Sequence, residues 1–213
     1  MKKIAAIMVL ISLMVEVNSQ SQWIGVDYVS TNSKQLNQHI QYYNETRPFQ
    51  SDQPYLNQGI RLHYGRLDTL GRANDFAYQL CWSQSAENQR SLLWHQIDYA
   101  RSYSWFEVSS LNAKVYWKWG AKLGCLTVTE SGSLIKNYDT MWSGLGAGLK
   151  VGNDIQGSIN QKGTLMWKAG YEVIPYFAPF HDVIINQANE ISGNDFSVFL
   201  HLQVGLQFKI DSE

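Results

Sequence analysis

From Phe196 to Ile210 the chain alternates without a break. Phe196, Val198, Leu200, Leu202, Val204, Leu206, Phe208 and Ile210 are apolar; between them stand Ser197, Phe199, His201, Gln203, Gly205, Gln207 and Lys209. Successive side chains of a strand point to opposite faces. The pattern predicts one strand with an apolar face about 50 Å long, at about 3.3 Å per residue, backed by a mostly polar face. A soluble sheet seldom needs such a face. A strand crossing a bilayer in a closed barrel does, because its outer side meets lipid and its inner side a polar lumen.

The same period-two test cuts the preceding chain into seven more strands, near 22–30, 58–68, 75–85, 92–106, 112–129, 141–151 and 164–176. In the fifth, Val115, Trp117, Trp119, Ala121 and Leu123 stand against Lys114, Tyr116, Lys118, Gly120 and Lys122. In the seventh, Leu165, Trp167, Ala169, Tyr171 and Val173 stand against Lys168, Gly170 and Glu172. The fourth is less regular: Leu93, Ile97, Tyr99 and Tyr103 share their parity with His95 and Arg101, which suggests a bulge or a position at the membrane surface. In the sixth, Gly144, Gly146 and Gly148 have strand spacing, which suits making room for bulky lumenal neighbours better than holding a nucleotide. The expected fold is all-β: a single antiparallel up-and-down transmembrane β-barrel of about eight strands.

The connections differ in length. Residues 31–56 and 178–194 read as long polar loops, 69–74 as a short link, and 86–91 and 130–140 as moderate loops. Residues 100–112 and 152–163 read as linkers, the second carrying Asn153 and Asp154 as turn residues. If the first strand rises from the periplasm, the two longest loops face outward, as small barrels arrange them.

The ends of the chain fit export. Lys2 and Lys3, the apolar run Ile4 to Val15 and the small residues around Ser19 read as a signal peptide over 1–19, leaving 20–213 as the barrel domain. Removing Lys2, Lys3 and Glu16 leaves 15 basic and 17 acidic residues, a balance that gives no support for nucleic-acid binding. Cys81 and Cys125 fall on opposite faces of non-adjacent strands, so two free thiols are expected rather than a disulfide. Eight Trp and twelve Tyr are a heavy load for 213 residues, and their rings favour the membrane–water boundary.

At the C-terminus, Gln203, Gly205, Phe208 and Ile210 follow the spacing of a polar residue, a glycine and two apolar residues. This resembles the assembly signal of small bacterial outer-membrane β-barrels, although the chain runs on through Asp211, Ser212 and Glu213. The resemblance implies an outer-membrane location, lipid as surroundings and the barrel-assembly machinery as a partner during biogenesis. It implies no particular activity.

The polar faces gather Asp27, Arg61, His63, Asp98, Lys118, Lys122, Lys150, Lys168, Glu172 and His201. An eight-stranded barrel is just wide enough for side chains to fill it, so these residues are expected to pair as a lumenal polar network rather than line a pathway. No metal-ligand spacing or phosphate loop appears, so no metal or cofactor is expected. Lipid A deacylases of this size carry a His-x-Ser-Asn stretch, and none of the five His here is followed by it. His95 is the catalytic candidate of the enzymatic alternative, because its parity turns it toward lipid. The favoured function is a non-enzymatic structural or interaction barrel, possible subunit of an outer-membrane complex, whose loops bind through Tyr42, Tyr43, Phe49, Tyr55, Phe177 and Phe180. A lipid-modifying enzyme is the alternative. A soluble lipocalin-like barrel would reverse inside and outside, and Lys118, Lys122 and Lys168 opposite Trp and Leu argue against that.

Overall fold

A computed structural model of the chain describes residues 19–46, 55–68, 72–85, 90–130, 140–178 and 196–210. Eight strands form one closed antiparallel barrel in sequence order: β1 (Ser19–Asn32), β2 (Gln58–Asp68), β3 (Arg72–Gln84), β4 (Arg90–Val108), β5 (Ala113–Glu130), β6 (Thr140–Ser158), β7 (Leu165–Phe177) and β8 (Phe196–Ile210). β8 closes the barrel on β1, with Phe208 opposite Ile24 and Gln203 opposite Val29. The ladder followed once round from Gln22 passes Arg66, Asn74, Arg101, Trp119, Val151, Val173 and Leu200 and returns to β1 at Asn32, a stagger of 10 residues. For eight strands that stagger corresponds to a tilt of roughly 40°.

The alternation decides which side each residue takes. Ile24, Val26, Tyr28, Leu62, Leu149 and Leu202 face outward and are exposed, while Asp27, Arg61, Lys122, Lys150, Glu172 and His201 face inward and are buried. This is an inside-out protein, with its exposed apolar wall where lipid would cover it. β4 keeps one parity through His95 and Arg101, both of which face outward, and its irregularity falls later, between Ser104 and Phe106.

Three expectations about the connections change. Residues 31–56 are not all loop, because they contain a helix, α1 (Lys34–Thr46). Ser33 accepts a hydrogen bond from the Leu36 N–H as an N-terminal cap (3.4 Å), and Leu36 and Ile40, one turn apart, are buried. The linkers expected at 100–112 and 152–163 are mostly strand: β4 runs to Val108 and β6 to Ser158. What joins β4 to β5 is a single 3-10 turn at Ser109–Leu111, ended by Asn112 in the left-handed region (φ 45°). Asn153 and Asp154, which suggest a turn, are strand residues paired with Tyr171 and Gly170. Ladder pairing on both sides of β6 outweighs their local turn preference.

Candidate functional site

The inward positions divide into two layers. Through the middle of the barrel runs a charged network. Arg61 on β2 reaches Asp75 (2.8 Å), Asp98 (3.0 Å) and Asp27 (3.3 Å). Asp98 on β4 also pairs with Lys150 and lies 3.8 Å from Lys122. Glu172 on β7 gathers Lys118 (3.0 Å), Lys150 (3.4 Å) and Lys122 (3.5 Å). Lys168 joins Asp27 (3.1 Å) to Asp154 (3.7 Å), and Asp154 returns to Lys118 (2.6 Å). His63 lies between Asp75 (3.1 Å) and Asp27 (3.3 Å).

Five cations, Arg61, Lys118, Lys122, Lys150 and Lys168, thus meet five carboxylates, Asp27, Asp75, Asp98, Asp154 and Glu172. Formal balance matters here, since an unpaired charge in a dry interior costs several kcal/mol. Neutral amides complete the contacts. Lys122 donates to Gln79 (2.8 Å) and Gln96 (3.2 Å), and Lys118 donates to Gln203 (3.3 Å). Every lumenal residue named from the sequence is in this network. His201 joins it through Lys122 (Nζ to Nδ1, 3.3 Å). Asp75, Asp154 and Gln96 complete it, although their parity with Ala77, Gly152 and Asp98 was the one signal of their direction.

Toward the end that carries α1 the interior turns apolar, which corrects the expectation of a polar lumen throughout. Trp94, Tyr176 and Phe199 are fully buried and pack ring to ring, with centroids 5.0 Å apart for Trp94–Tyr176 and 4.7 Å for Trp94–Phe199. Leu92, Leu126, Val128 and Ile174 surround them, and Leu36 and Ile40 of α1 belong to the same cluster, together with Leu56 and Cys81. The glycines of β6 make space for this layer: a Cβ at Gly146 or Gly148 would stand 2.5 Å from the Tyr176 ring. At the opposite end the lumen opens into a vestibule of about 270 Å³ whose lining includes Trp23, Leu67, Tyr116, Met166 and Lys209.

The other named residues fall elsewhere. Gln203 is buried and inward, Gly205 faces Asp27 on β1, and Phe208 and Ile210 are exposed on the outer wall. His95 is on the outer wall too, its Nδ1 2.6 Å from the Tyr78 hydroxyl. Tyr42 and Tyr55 are exposed near the α1 end, at 50% and 41%. Phe177, read as a loop residue, is the last residue of β7, against Phe196 of β8 with ring centroids 4.8 Å apart. Tyr43 is on α1, whereas Phe49, Phe180 and residues 1–18 lie outside the described residues. Cys81 and Cys125 are free thiols, the first buried.

A closed eight-stranded barrel with an apolar outer wall and a charged interior defines a class, the small outer-membrane β-barrels. Solved structures agree on that fold. The chain is similar to a major outer membrane protein from Thermus thermophilus (TM-score 0.58, 9% identity, 89% of this chain and 99% of that one). It is similar also to Ail, the attachment invasion locus protein of Yersinia pestis (TM-score 0.50, 11% identity, 91% of this chain and all of that one). No family model matches the sequence, and no curated protein matches it. The fold is therefore that of bacterial outer-membrane proteins, and the outer membrane is the compartment its lipid-facing wall suits.

Proposed function

We propose that the protein is a non-enzymatic interaction barrel of the outer membrane, binding partners through the rim that carries α1. The observation that supports this most is the filled interior. Among the described residues, ion pairs fill the middle, and the Trp94–Tyr176–Phe199 layer with α1 fills one end, which favours a closed interior over a solute pathway. The surface left for recognition is the rim, where a rigid scaffold displays connecting segments. Tyr42 and Tyr55 stand exposed there, aromatic anchors of the kind that dominate binding surfaces. Substituting both by Ser spares the buried Leu36 and Ile40. Cells carrying this variant should fold the barrel normally and lose binding to glycan and protein arrays relative to cells with the parent. Equal binding by both, or none above a deletion strain, would overturn the reading.

A lipid-modifying enzyme is the second reading, favoured by one contact, the His95–Tyr78 hydrogen bond on the lipid-facing wall. Its signature would be a lipid A mass spectrum altered by deleting the gene and restored by the parent but not by His95→Ala.

A further inference from the structure

Among the described residues, the outward-facing strand positions of β1, β5, β6, β7 and β8 hold no Lys or Arg. The outward-facing cations of the strands are three arginines on three adjacent strands: Arg66 on β2, Arg72 on β3 and Arg101 on β4. Register brings them together. Arg66 is opposite Asn74, Asn74 is opposite Arg101, and Arg72 lies two residues along β3 from Asn74, opposite Tyr103. With strands about 4.8 Å apart and about 3.3 Å per residue, the three backbones lie within roughly 10 Å, a span that long guanidinium side chains easily close.

The patch sits at the end where the chain turns tightly from β4 to β5, opposite α1, which is the periplasmic end of a barrel whose longer loops face outward. It has the frame of a membrane–water boundary. The Arg101 guanidinium lies 5.8 Å from the Tyr103 ring centroid, the Tyr99 hydroxyl donates to Asn74 Oδ1 (2.8 Å), and Trp105 and Phe106 just beyond are exposed. At the other end, the outward positions Ser30, Asn32, Gln84, Ser91, Thr127 and Thr129 are neutral.

We propose that Arg66, Arg72 and Arg101 form a binding site for the phosphodiester headgroup of an anionic glycerophospholipid in the periplasmic leaflet. A guanidinium offers five donors in a planar fork that matches phosphate oxygens, so engagement with a protein neighbour does not exhaust it. At the membrane–water boundary a phosphate offers acceptor oxygens to all three guanidiniums at once. The neutral outward strand positions at the other end direct the preference to phospholipid over the phosphates of lipid A. The site stands independently of what the loops bind.

Native mass spectrometry of the folded barrel in mild detergent, offered phosphatidylglycerol and phosphatidylcholine in equal amounts, tests it. Phosphatidylglycerol adducts should dominate by about tenfold, equivalent to roughly 1.4 kcal/mol, and the preference should fall as ammonium acetate is raised. The triple variant R66Q/R72Q/R101Q should bring the two lipids to parity, while K114Q/K209Q, altering lysines at the mouth of the lumen, should leave the preference intact. Parity or salt-insensitivity in the parent protein overturns the proposal without need of any variant. So does a preference that survives the triple variant, or lipid A retained ahead of phosphatidylglycerol. Loss of a bound protein instead of a lipid in the triple variant would replace the lipid by an acidic protein partner.

Discussion

At the residue scale, the network is sharpest at Arg61. Its guanidinium holds Asp27, Asp75 and Asp98, three buried carboxylates from three strands. Ion pairs this deep gain little over a well-packed apolar core, but removing one member leaves an uncompensated charge, which costs about 3–5 kcal/mol. Arg61→Met keeps much of the volume but leaves the network one positive charge short: Asp27 keeps Lys168 and Asp98 keeps Lys150 and Lys122, while Asp75 is left with His63. It should destabilise the barrel by about that amount in urea unfolding from lipid vesicles. Adding Asp75→Asn should recover part of the loss, because Asp75 pairs here with Arg61 and His63. A loss under about 1 kcal/mol would mean that water enters and hydrates the uncompensated charge. Most of these residues are legible in the sequence because a charged side chain opposite Trp or Leu on a strand has only one comfortable side. Asp154 was hidden by its neighbours: beside Asn153 and Gly152 it suggests a turn, and only pairing between distant segments makes it a strand residue.

At the element scale, α1 is the part that alternation conceals. Its polar composition suggests loop, and Leu36 and Ile40 are its buried apolar residues among the described side chains. Two apolar residues one turn apart make a faint helical signal, and what gives them a place to go is the open mouth of the barrel. The lining of that mouth leaves a trace, for alternation fails there and both faces become apolar, as in Leu92-Leu93-Trp94 and Val198-Phe199-Leu200. A strand that is apolar on both faces is buried on both, by lipid outside and by a plug within. If α1 is that plug, L36D/I40D should leave the barrel folded and heat-modifiable while opening the layer beneath. Cys81 is the reporter, since it is buried in the same cluster. In a Cys125→Ser background a water-soluble maleimide should leave Cys81 unmodified in the parent and label it in the double variant. Labelling at equal rates in both would show that α1 does not seal the mouth.

At the scale of the whole molecule, fold and orientation follow from one repeated contrast, apolar outward and polar inward, carried by eight strands in sequence order. The contrast is strong enough to be read strand by strand, and closure follows because an open sheet edge has no partner in lipid. The proposed function is written more faintly, because the reading rests on a few exposed side chains at the rim and not on a periodic pattern. Tyr42 and Tyr55 look in sequence like any other aromatics and gain meaning only from their position above a closed barrel. That closure is the central claim, and single-channel recording in planar bilayers tests it most directly. The purified, refolded barrel should show no sustained conductance, because ion pairs and the aromatic layer with α1 fill it in series; a stable open channel of porin size would contradict the account.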